Sequence, residues 1–362
     1  MRSWTFPTRP SPGRFEQGMS DRRASNPDLP TLSVVVPNYN HARYLEAALQ
    51  GHLEQTIAPL EILVVDDGST DDSCAIVERV AGEHSGVRLI RLAKNRGVNA
   101  AMTHGLQEAR GDYVCFSAAD DMVTREFAGR SLEVLARHPA AGFSFSDLAV
   151  SIGDSGVVRQ FPLFLSDRPC MLSPGDLERL LMRNYFNFPS HTIVYRRDAL
   201  LALGGFMEDL LWLADWFVNY ALAFRHGACY VPQVLAFFRL TPDSYSARGP
   251  RQAGAQRDLV YRMVDLLGSS TLQDVAGAFR RSAVLPEFRL RVLVWLLASP
   301  RHRSYLTRRL VFRLLVRSVW GALIAYVPDR LRRAIRWLAS RPTRRRLAGR
   351  WSFPSGVSGR QA

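Results

Sequence analysis

Three short apolar runs, each ending in turn-forming and oxygen-rich residues, most constrain how this 362-residue chain can fold. The first begins at Leu32 and leads into Pro-Asn-Tyr-Asn. The second begins at Ile62 and leads into Asp-Asp-Gly-Ser, and the third begins at Tyr113 and leads into Ser-Ala-Ala-Asp-Asp. Runs of four to six apolar residues without polar alternation are typical of strands covered on both faces, as in a parallel sheet.

The segments between these runs predict crossover helices, because their apolar residues recur at helical spacing over about 42–55, from Ser73 onward, and over about 98–109. A further strand is predicted over 87–92. The order β-α-β-α-β-α-β predicts an α/β fold with a right-handed, mostly parallel, doubly wound sheet. Ligands bind at the carboxyl edge of such a sheet. We therefore expect one cleft lined by four acids: Asp66, Asp67, Asp120 and Asp121.

The rest of the chain divides into a less regular half-domain, a basic helical region and two polar ends. Helices are expected around 125–137, 175–183 and 213–224, and strands around 142–146, 191–195 and 229–240. The predicted domains are a disordered leader over 1–30, a catalytic domain over 31–248, a helical basic region over 249–350 and a disordered tail over 351–362. The leader lacks the apolar core of a signal peptide, which predicts a cytoplasmic protein.

The net charge of +14 comes from the C-terminal region, since residues 280–362 contain 20 Arg and only two acids, Glu287 and Asp329. Its apolar residues lie between the arginines, which favours an anionic membrane surface over nucleic acid as partner. The longest uncharged stretch, 318–328, is too short to span a bilayer. We expect an interfacial helix, peripheral on the cytoplasmic face of the inner membrane; the alternative is a helical subdomain packed on the catalytic domain. Four widely spaced cysteines indicate a reducing compartment.

Several motifs occur in a fixed order between about residues 32 and 246: Val-Pro-Asn-Tyr-Asn, Val-Val-Asp-Asp-Gly-Ser-Thr-Asp, Lys-Asn-Arg-Gly-Val-Asn-Ala-Ala, Ala-Arg-Gly-Asp-Tyr-Val, Ala-Asp-Asp, and Gly-Gly-Phe followed by Ala-Asp-Trp. In this order they resemble a bacterial family 2 glycosyltransferase. The resemblance implies the nucleotide-sugar-binding fold called GT-A and a nucleotide-sugar donor.

Carried over residue by residue, the resemblance assigns Asp67 to the nucleotide base and Asp66 to the support of the same pocket. It assigns Pro37 to backbone contact and Tyr39 to stacking on the base, and Arg96 to the nucleotide. The alternative for the acids is a turn and helix-cap cluster. An arginine in such a position is more commonly a solvated surface residue.

Asp120 and Asp121 match the acidic metal motif of the family, with Ala118 in the place of its first acid. The resemblance assigns Asp120 to ribose or metal and Asp121 to a divalent metal, Mg²⁺ or Mn²⁺. Two carboxylates can suffice because phosphate oxygens and water complete an octahedron. The alternative is a polar loop cap. Arg239, after these acids in the chain, is a candidate for neutralising diphosphate.

Asp215 matches the acid that serves as general base in the family, with Ala214 where glutamate is common. Its apolar neighbours should raise its basicity by desolvation. The alternative is a helix N-cap aspartate, and the substitutes for the base are Glu208 and Asp209. His191 is more simply a strand-end histidine than a ligand.

The resemblance implies inverting transfer of a sugar, from a UDP or dTDP donor, to a hydroxyl of a glycan or a polyprenyl-linked acceptor in bacterial surface polysaccharide synthesis. The rival is a catalytically inactive nucleotide-binding regulatory module, because acids are missing at Ala118 and Ala214. A dinucleotide-dependent dehydrogenase is disfavoured, since no Gly-x-Gly-x-x-Gly follows the first strand.

Overall fold

The computed structural model describes residues 29–152, 157–240, 255–286, 288 and 290–325. The predicted leader up to residue 28, the predicted boundary at 249–250, the basic region from 326 to 350 and the predicted tail over 351–362 lie outside these ranges.

The described residues alternate strands and helices as expected, with most boundaries within two residues of the prediction. The strands are β1 Leu32–Asn38, β2 Glu61–Asp66, β3 Val87–Arg91, β4 Tyr113–Phe116, β5 Met122–Val123, β6 Phe143–Ile152, β7 Val157–Phe161, β8 Cys170–Leu172, β9 Val194–Arg196 and β10 Ala228–Leu240. The helices are α1 Ala42–Leu53, α2 Ser73–Glu83, α3 Val98–Glu108, α4 Phe127–Arg137, α5 Pro174–Arg183, α6 Arg197–Ala202, α7 Ala214–His226, α8 Ala255–Leu267, α9 Gln273–Ser282, α10 Arg291–Ala298 and α11 Arg308–Ala325.

The ten strands of the described residues join one sheet, whose main path has the order β3-β2-β1-β4-β9-β6-β10-β5. The four N-terminal strands pair in parallel, which confirms the doubly wound α/β prediction. Beyond β4 the sheet is mixed: β9 is antiparallel to both of its neighbours, and β10 pairs in parallel with β6. The strand expected over 191–195 is divided into a 3₁₀ turn at Ser190–Thr192 followed by β9.

Both faces of the central strands are buried, as their uninterrupted apolar sequence predicts. Val35 and Val65 belong to one hydrophobic core, and Val34 and Val64 belong to the core on the opposite face. Each of these side chains has no exposed surface. This arrangement leaves the strand ends as the places where polar side chains can meet.

Helix α3 packs on the sheet through Gly105, at a distance that leaves no room for a side chain there. A Cβ at this position would lie 2.4 Å from Val35 Cγ1 and 3.1 Å from Val65 Cγ2. The glycine therefore fixes the distance between α3 and the strands that carry the site.

The helices after β10 pack on the domain through their apolar faces. Phe279 of α9 contacts Phe217 of α7 with ring centroids 5.7 Å apart, and Val264 and Leu314 belong to the same buried core. Arg281 also pairs with Glu178 of α5 at 2.6 Å. Residues 255–286 and the inner face of α11 thus pack on the domain, as the alternative of a helical subdomain expects. No helix of the described residues is both long and apolar enough to cross a membrane.

Candidate active site

The carboxyl end of β2 is tied to that of β1 by a small hydrogen-bond network around Asp66. Asn38 pairs with Asp66 in the parallel register, and its Nδ2 donates to Asp66 Oδ1 at 2.8 Å. The amide of Ser69 donates to the other carboxylate oxygen at 2.9 Å. Burial acts to raise the pKa of Asp66, but the hydrogen bonds from Ser69, Asn38 and Cys74 outweigh it and hold the pKa below its ordinary value.

Asp67 holds the segment 94–97, which we call the nucleotide loop. Its two carboxylate oxygens accept the amides of Arg96 at 2.8 Å and Gly97 at 2.7 Å. Gly97 has φ +92°, a backbone conformation that favours glycine, and it directly precedes α3. The buried carboxylate of Asp67 therefore fixes where the nucleotide loop enters the helix.

Pro37 and Tyr39 lie at the same edge of the sheet. Pro37 pairs with Val65 in the register of β1 and β2. Tyr39 is 43% exposed, so its ring is accessible for stacking on a flat ligand. The structure thus brings four of the predicted nucleotide contacts together with the nucleotide loop.

Asp120 and Asp121 follow β4 at the same edge, next to the backbone of β10. Asp121 is buried, and its Oδ1 accepts the amide of Arg239 at 3.0 Å; Arg239 Nε donates to the carbonyl of Asp120 at 3.1 Å. The Arg239 guanidinium also lies over the ring of Tyr44, 4.8 Å from its centroid. Burial, and then the neighbouring charge of Asp120, raise the pKa of Asp121 to about 8.

These two acids suit a cation that is shared with a ligand. Among the described residues no group of three or more His, Cys, Asp or Glu side chains forms a metal site by itself. A buried carboxylate beside a second one is a site where a divalent cation would relieve repulsion. Asp120 and Asp121 therefore fit a metal whose remaining ligands come from diphosphate and water.

Asp215 lies in the first turn of α7, half-buried beside the 3₁₀ turn at Ser190–Thr192. Its Oδ1 accepts the amide of Trp216 at 2.7 Å, and Ser190 hydrogen-bonds its carboxylate. Desolvation by burial is the largest influence and raises the pKa of Asp215, although these hydrogen bonds oppose it. A carboxylate with a raised pKa is a better proton acceptor than an ordinary aspartate.

A chain of side-chain hydrogen bonds leads from Tyr195 through Asn219 and Ser190 to Asp215. The hydroxyl of Tyr195 donates to Asn219 Oδ1 at 2.6 Å, and Asn219 Nδ2 donates to Ser190 Oγ at 3.0 Å. The Ser190 hydroxyl is thereby oriented toward Asp215. We call Asp215, Ser190, Asn219 and Tyr195 the base cluster.

Two contacts connect the nucleotide loop with the segment that leads into Asp215. Arg96 pairs with Glu208 at 3.3 Å, and Asn99 Nδ2 donates to the carbonyl of Leu211 at 2.8 Å. Leu211 has φ +49°, so the Asn99 contact holds a strained residue in the 3₁₀ segment Glu208–Leu213. The predicted nucleotide and base residues therefore belong to one connected site.

The two substitutes for the base are engaged elsewhere. Glu208 pairs with Arg96, and Asp209 pairs with Arg262 of α8. His191 is half-buried with its ring 5.7 Å from that of Phe238, and burial lowers the pKa of His191 to about 4, so it is neutral at pH 7. Both substitutes are thus held in ion pairs, and His191 carries no charge at pH 7.

Sequence reasoning missed the residues that position the site rather than touch a ligand. Asn38, Asn99, Ser190 and Asn219 each make a specific side-chain contact described above. Asn38 and Asn99 lie inside the sequence motifs, and this position is the signal that could have identified them. Ser190 and Asn219 are separated by 29 residues, and no local pattern relates them.

Residues 33–204 match the family model described as Glycosyl transferase family 2. This match covers just under half of the chain, from the first strand to Gly204. The match confirms the glycosyltransferase resemblance of the motifs and supports a transferase enzyme.

Similar proteins match the chain over different lengths. An uncharacterized protein of Mycobacterium tuberculosis is 28% identical over 296 residues, covering 78% of this chain and 89% of that protein. An uncharacterized glycosyltransferase of Haemophilus influenzae is 30% identical over 125 residues, which is 33% of this chain and half of that protein. The structure of residues 1–349 of S. aureus TarS in complex with UDP-GlcNAc superposes with a TM-score of 0.55 at 18% identity, covering 83% of this chain and 82% of that one. This superposition establishes the GT-A fold.

Proposed function

We propose that this glycosyltransferase moves a sugar, with inversion, from a UDP or dTDP donor to a hydroxyl of a glycan or lipid-linked acceptor. The observation that carries the proposal is the joining of two kinds of site by the contacts Arg96–Glu208 and Asn99–Leu211. One is an edge of fixed carboxylates suited to a nucleotide, and the other is a carboxylate with raised pKa suited to proton abstraction.

In this mechanism Asp215 removes the proton from the acceptor hydroxyl as the oxygen attacks the anomeric carbon of the donor. The bond from that carbon to the diphosphate breaks on the opposite face, so the configuration inverts. The Ser190 hydroxyl orients the carboxylate of Asp215, while Asn219 and Tyr195 keep the serine in place. A divalent metal held by Asp120 and Asp121 would supply positive charge to the diphosphate.

The donor class is supported by the fold and by the polar edge of the sheet. The TarS structure with this fold contains UDP-GlcNAc. In the present chain Tyr39 is exposed for base stacking, and Asp67 fixes the adjoining loop. These features favour a flat base with a ribose and a diphosphate at the edge of β1 and β2.

A membrane-borne acceptor is supported by the surface of the C-terminal helices. Most of the exposed large apolar side chains in the described part of the chain lie between residues 290 and 319, including Val294 at 62% and Phe312 at 70%. Exposed apolar stripes among arginines suit an anionic bilayer surface. We therefore place the enzyme peripherally on the cytoplasmic face of the inner membrane, in surface polysaccharide synthesis. A relative from Borreliella burgdorferi, 37% identical over 92 residues, is named cholesterol galactosyltransferase.

A screen of nucleotide sugars tests the proposed reaction. The purified full chain is incubated with each donor and Mn²⁺, and release of the nucleoside diphosphate is measured with and without lipid extract as acceptor. We expect turnover with a UDP or dTDP sugar that is lost in the Asp215→Asn variant. Nucleotide binding without turnover of any donor would instead favour the regulatory module, for which the alanines at 118 and 214 are the motivating observation.

A further inference from the structure

An arginine-rich groove lies between α5 and the C-terminal helices, outside the residues assigned to the reaction. Its volume is about 1010 Å³, and seven of its thirteen lining residues are arginines, while none is acidic. Arg183 comes from α5, and Arg308 comes from the first turn of α11. A concave surface with this charge favours a ligand that carries more than one negative charge.

Helix α11 places a cationic stripe beside an apolar one. Arg309, Arg313 and Arg317 recur at four-residue spacing and line the groove. Phe312 and Val316 form the adjoining stripe, which continues to Val319 and stays exposed at 70%, 49% and 58%. The opposite face of the helix is buried in the core through Leu310 and Leu314. The groove therefore opens directly onto uncovered hydrocarbon surface.

The inner wall of the groove is connected to Trp216, the residue that follows Asp215, through Tyr185. The guanidinium groups of Arg313 and Arg317 lie 4.7 and 5.9 Å from the ring centroid of Tyr185. The hydroxyl of Tyr185 accepts Trp216 Nε1 at 3.2 Å, and Trp216 directly follows Asp215. A ligand in the groove would thus be two side chains away from the proposed base.

We propose that this groove binds the phosphate or diphosphate of a single lipid molecule that carries the acceptor, with the hydrocarbon chain of that lipid lying along Phe312, Val316 and Val319. This inference rests on the proposed function, in which Asp215 activates an acceptor hydroxyl. Guanidinium groups bind phosphate oxygens through paired charge-assisted hydrogen bonds, and the apolar stripe gains from being covered. A nucleic acid would satisfy the charge, but it would leave the aliphatic side chains exposed to water.

Calorimetric titration of the full chain with dodecyl phosphate, below its micelle concentration, tests the groove. We expect saturable binding of one molecule, at least roughly 10-fold tighter than that of inorganic phosphate or dodecyl maltoside, because each of these lacks one of the two features. The double variant Arg183→Ser/Arg308→Ser should weaken dodecyl phosphate binding by about 10- to 100-fold. The matched control Arg291→Ser/Arg301→Ser removes the same charge from C-terminal positions outside the groove and should bind like the wild type.

Further measurements separate the possible failures. Phe312→Ser should weaken dodecyl phosphate and leave inorganic phosphate unchanged, which tests the apolar stripe without altering charge. If both arginine double variants lose binding equally, to dodecyl phosphate and to phosphatidylglycerol vesicles, the arginines serve general membrane attraction and the proposal is overturned. Binding of a single-stranded oligonucleotide as tightly as dodecyl phosphate would also overturn it. UDP titration of the same samples reports on the donor site independently, so failure of the proposed function is visible apart from failure of the groove.

Discussion

Asp66 and Asp215 both lie where an element of the α/β domain begins or ends, yet their pKa values move in opposite directions. Asp66 is buried, but its pKa is lowered because Ser69, Asn38 and Cys74 all hydrogen-bond its carboxylate. The pKa of Asp215 is raised, because desolvation outweighs the hydrogen bonds from Ser190 and the Trp216 amide, which lower it. The comparison separates Asp66, a carboxylate held in its charged form where β2 ends, from Asp215, a carboxylate that takes up a proton more readily.

The largest effect should come from Asp215→Asn, which removes the proton acceptor while keeping the side-chain size. We expect turnover to fall by roughly 10² to 10⁴, the usual contribution of a general base, and UDP affinity to stay near wild type. Initial rates and calorimetry measure the two. The control Asp209→Asn removes an exposed ion-paired acid and should remain nearly fully active. Collapse of nucleotide affinity in Asp215→Asn would make this residue structural and would end the contrast with Asp66.

Removal of divalent metal should weaken UDP binding on the order of 10- to 100-fold. The bonds from the metal to the phosphate oxygens would then be lost, and Asp120 would face the diphosphate without a cation; one such repulsion between unit charges at about 4 Å costs about 1 kcal/mol even in water. Titrations in Mn²⁺, in Mg²⁺ and in chelator give the comparison, with uridine as a control ligand that lacks phosphate. Equal UDP affinity in chelator would contradict the metal role of these acids.

Asp67→Asn should loosen the nucleotide loop, because an amide nitrogen replaces one of the two oxygens that accept the amides of Arg96 and Gly97. We expect a loss of about 1–3 kcal/mol in the free energy of unfolding, the cost of an unsatisfied buried group, together with weaker UDP binding. Chemical denaturation and calorimetry measure both. Asp72→Asn provides the control, since Asp72 is exposed and its side chain makes no cap hydrogen bond. A fully stable Asp67→Asn variant would show that the loop does not depend on this carboxylate.

The smallest expected effect is a shift in the pH dependence of activity. Asp215 acts when it is ionised, so activity should fall as pH decreases through its raised pKa. Ser190 donates a hydrogen bond that lowers this pKa, and Ser190→Ala should therefore shift the acidic limb of kcat/KM to higher pH, by roughly one unit or less. Ser144→Ala is the control, because the buried Ser144 hydroxyl has no partner among the described residues. A shift toward lower pH, or an equal shift in the control, would contradict the base cluster.

The sequence predicted the position of Asp66 and Asp67 at the sheet edge because that information is local. A buried strand followed directly by Asp66 and Asp67 determines both the element and the place of the acids. The base cluster was predicted only at Asp215. Its partners Ser190, Asn219 and Tyr195 come from a 3₁₀ turn, a helix and a strand, and their contacts depend on how these elements pack. The mixed half of the sheet was likewise harder to predict, since antiparallel insertion of β9 has no periodic signature.

Gly105 would be recorded as a binding residue in a mutational scan, although it touches no ligand. Any side chain there would meet Val35 and Val65, the second of which directly precedes Asp66. Helix α3 would have to move, and its first turn is attached to Asp67 through Gly97. A substitution on the far half of the helix would therefore appear as lost affinity for the donor, and the fitness profile of this position should follow that of Asp67 more closely than that of its own neighbours on the helix.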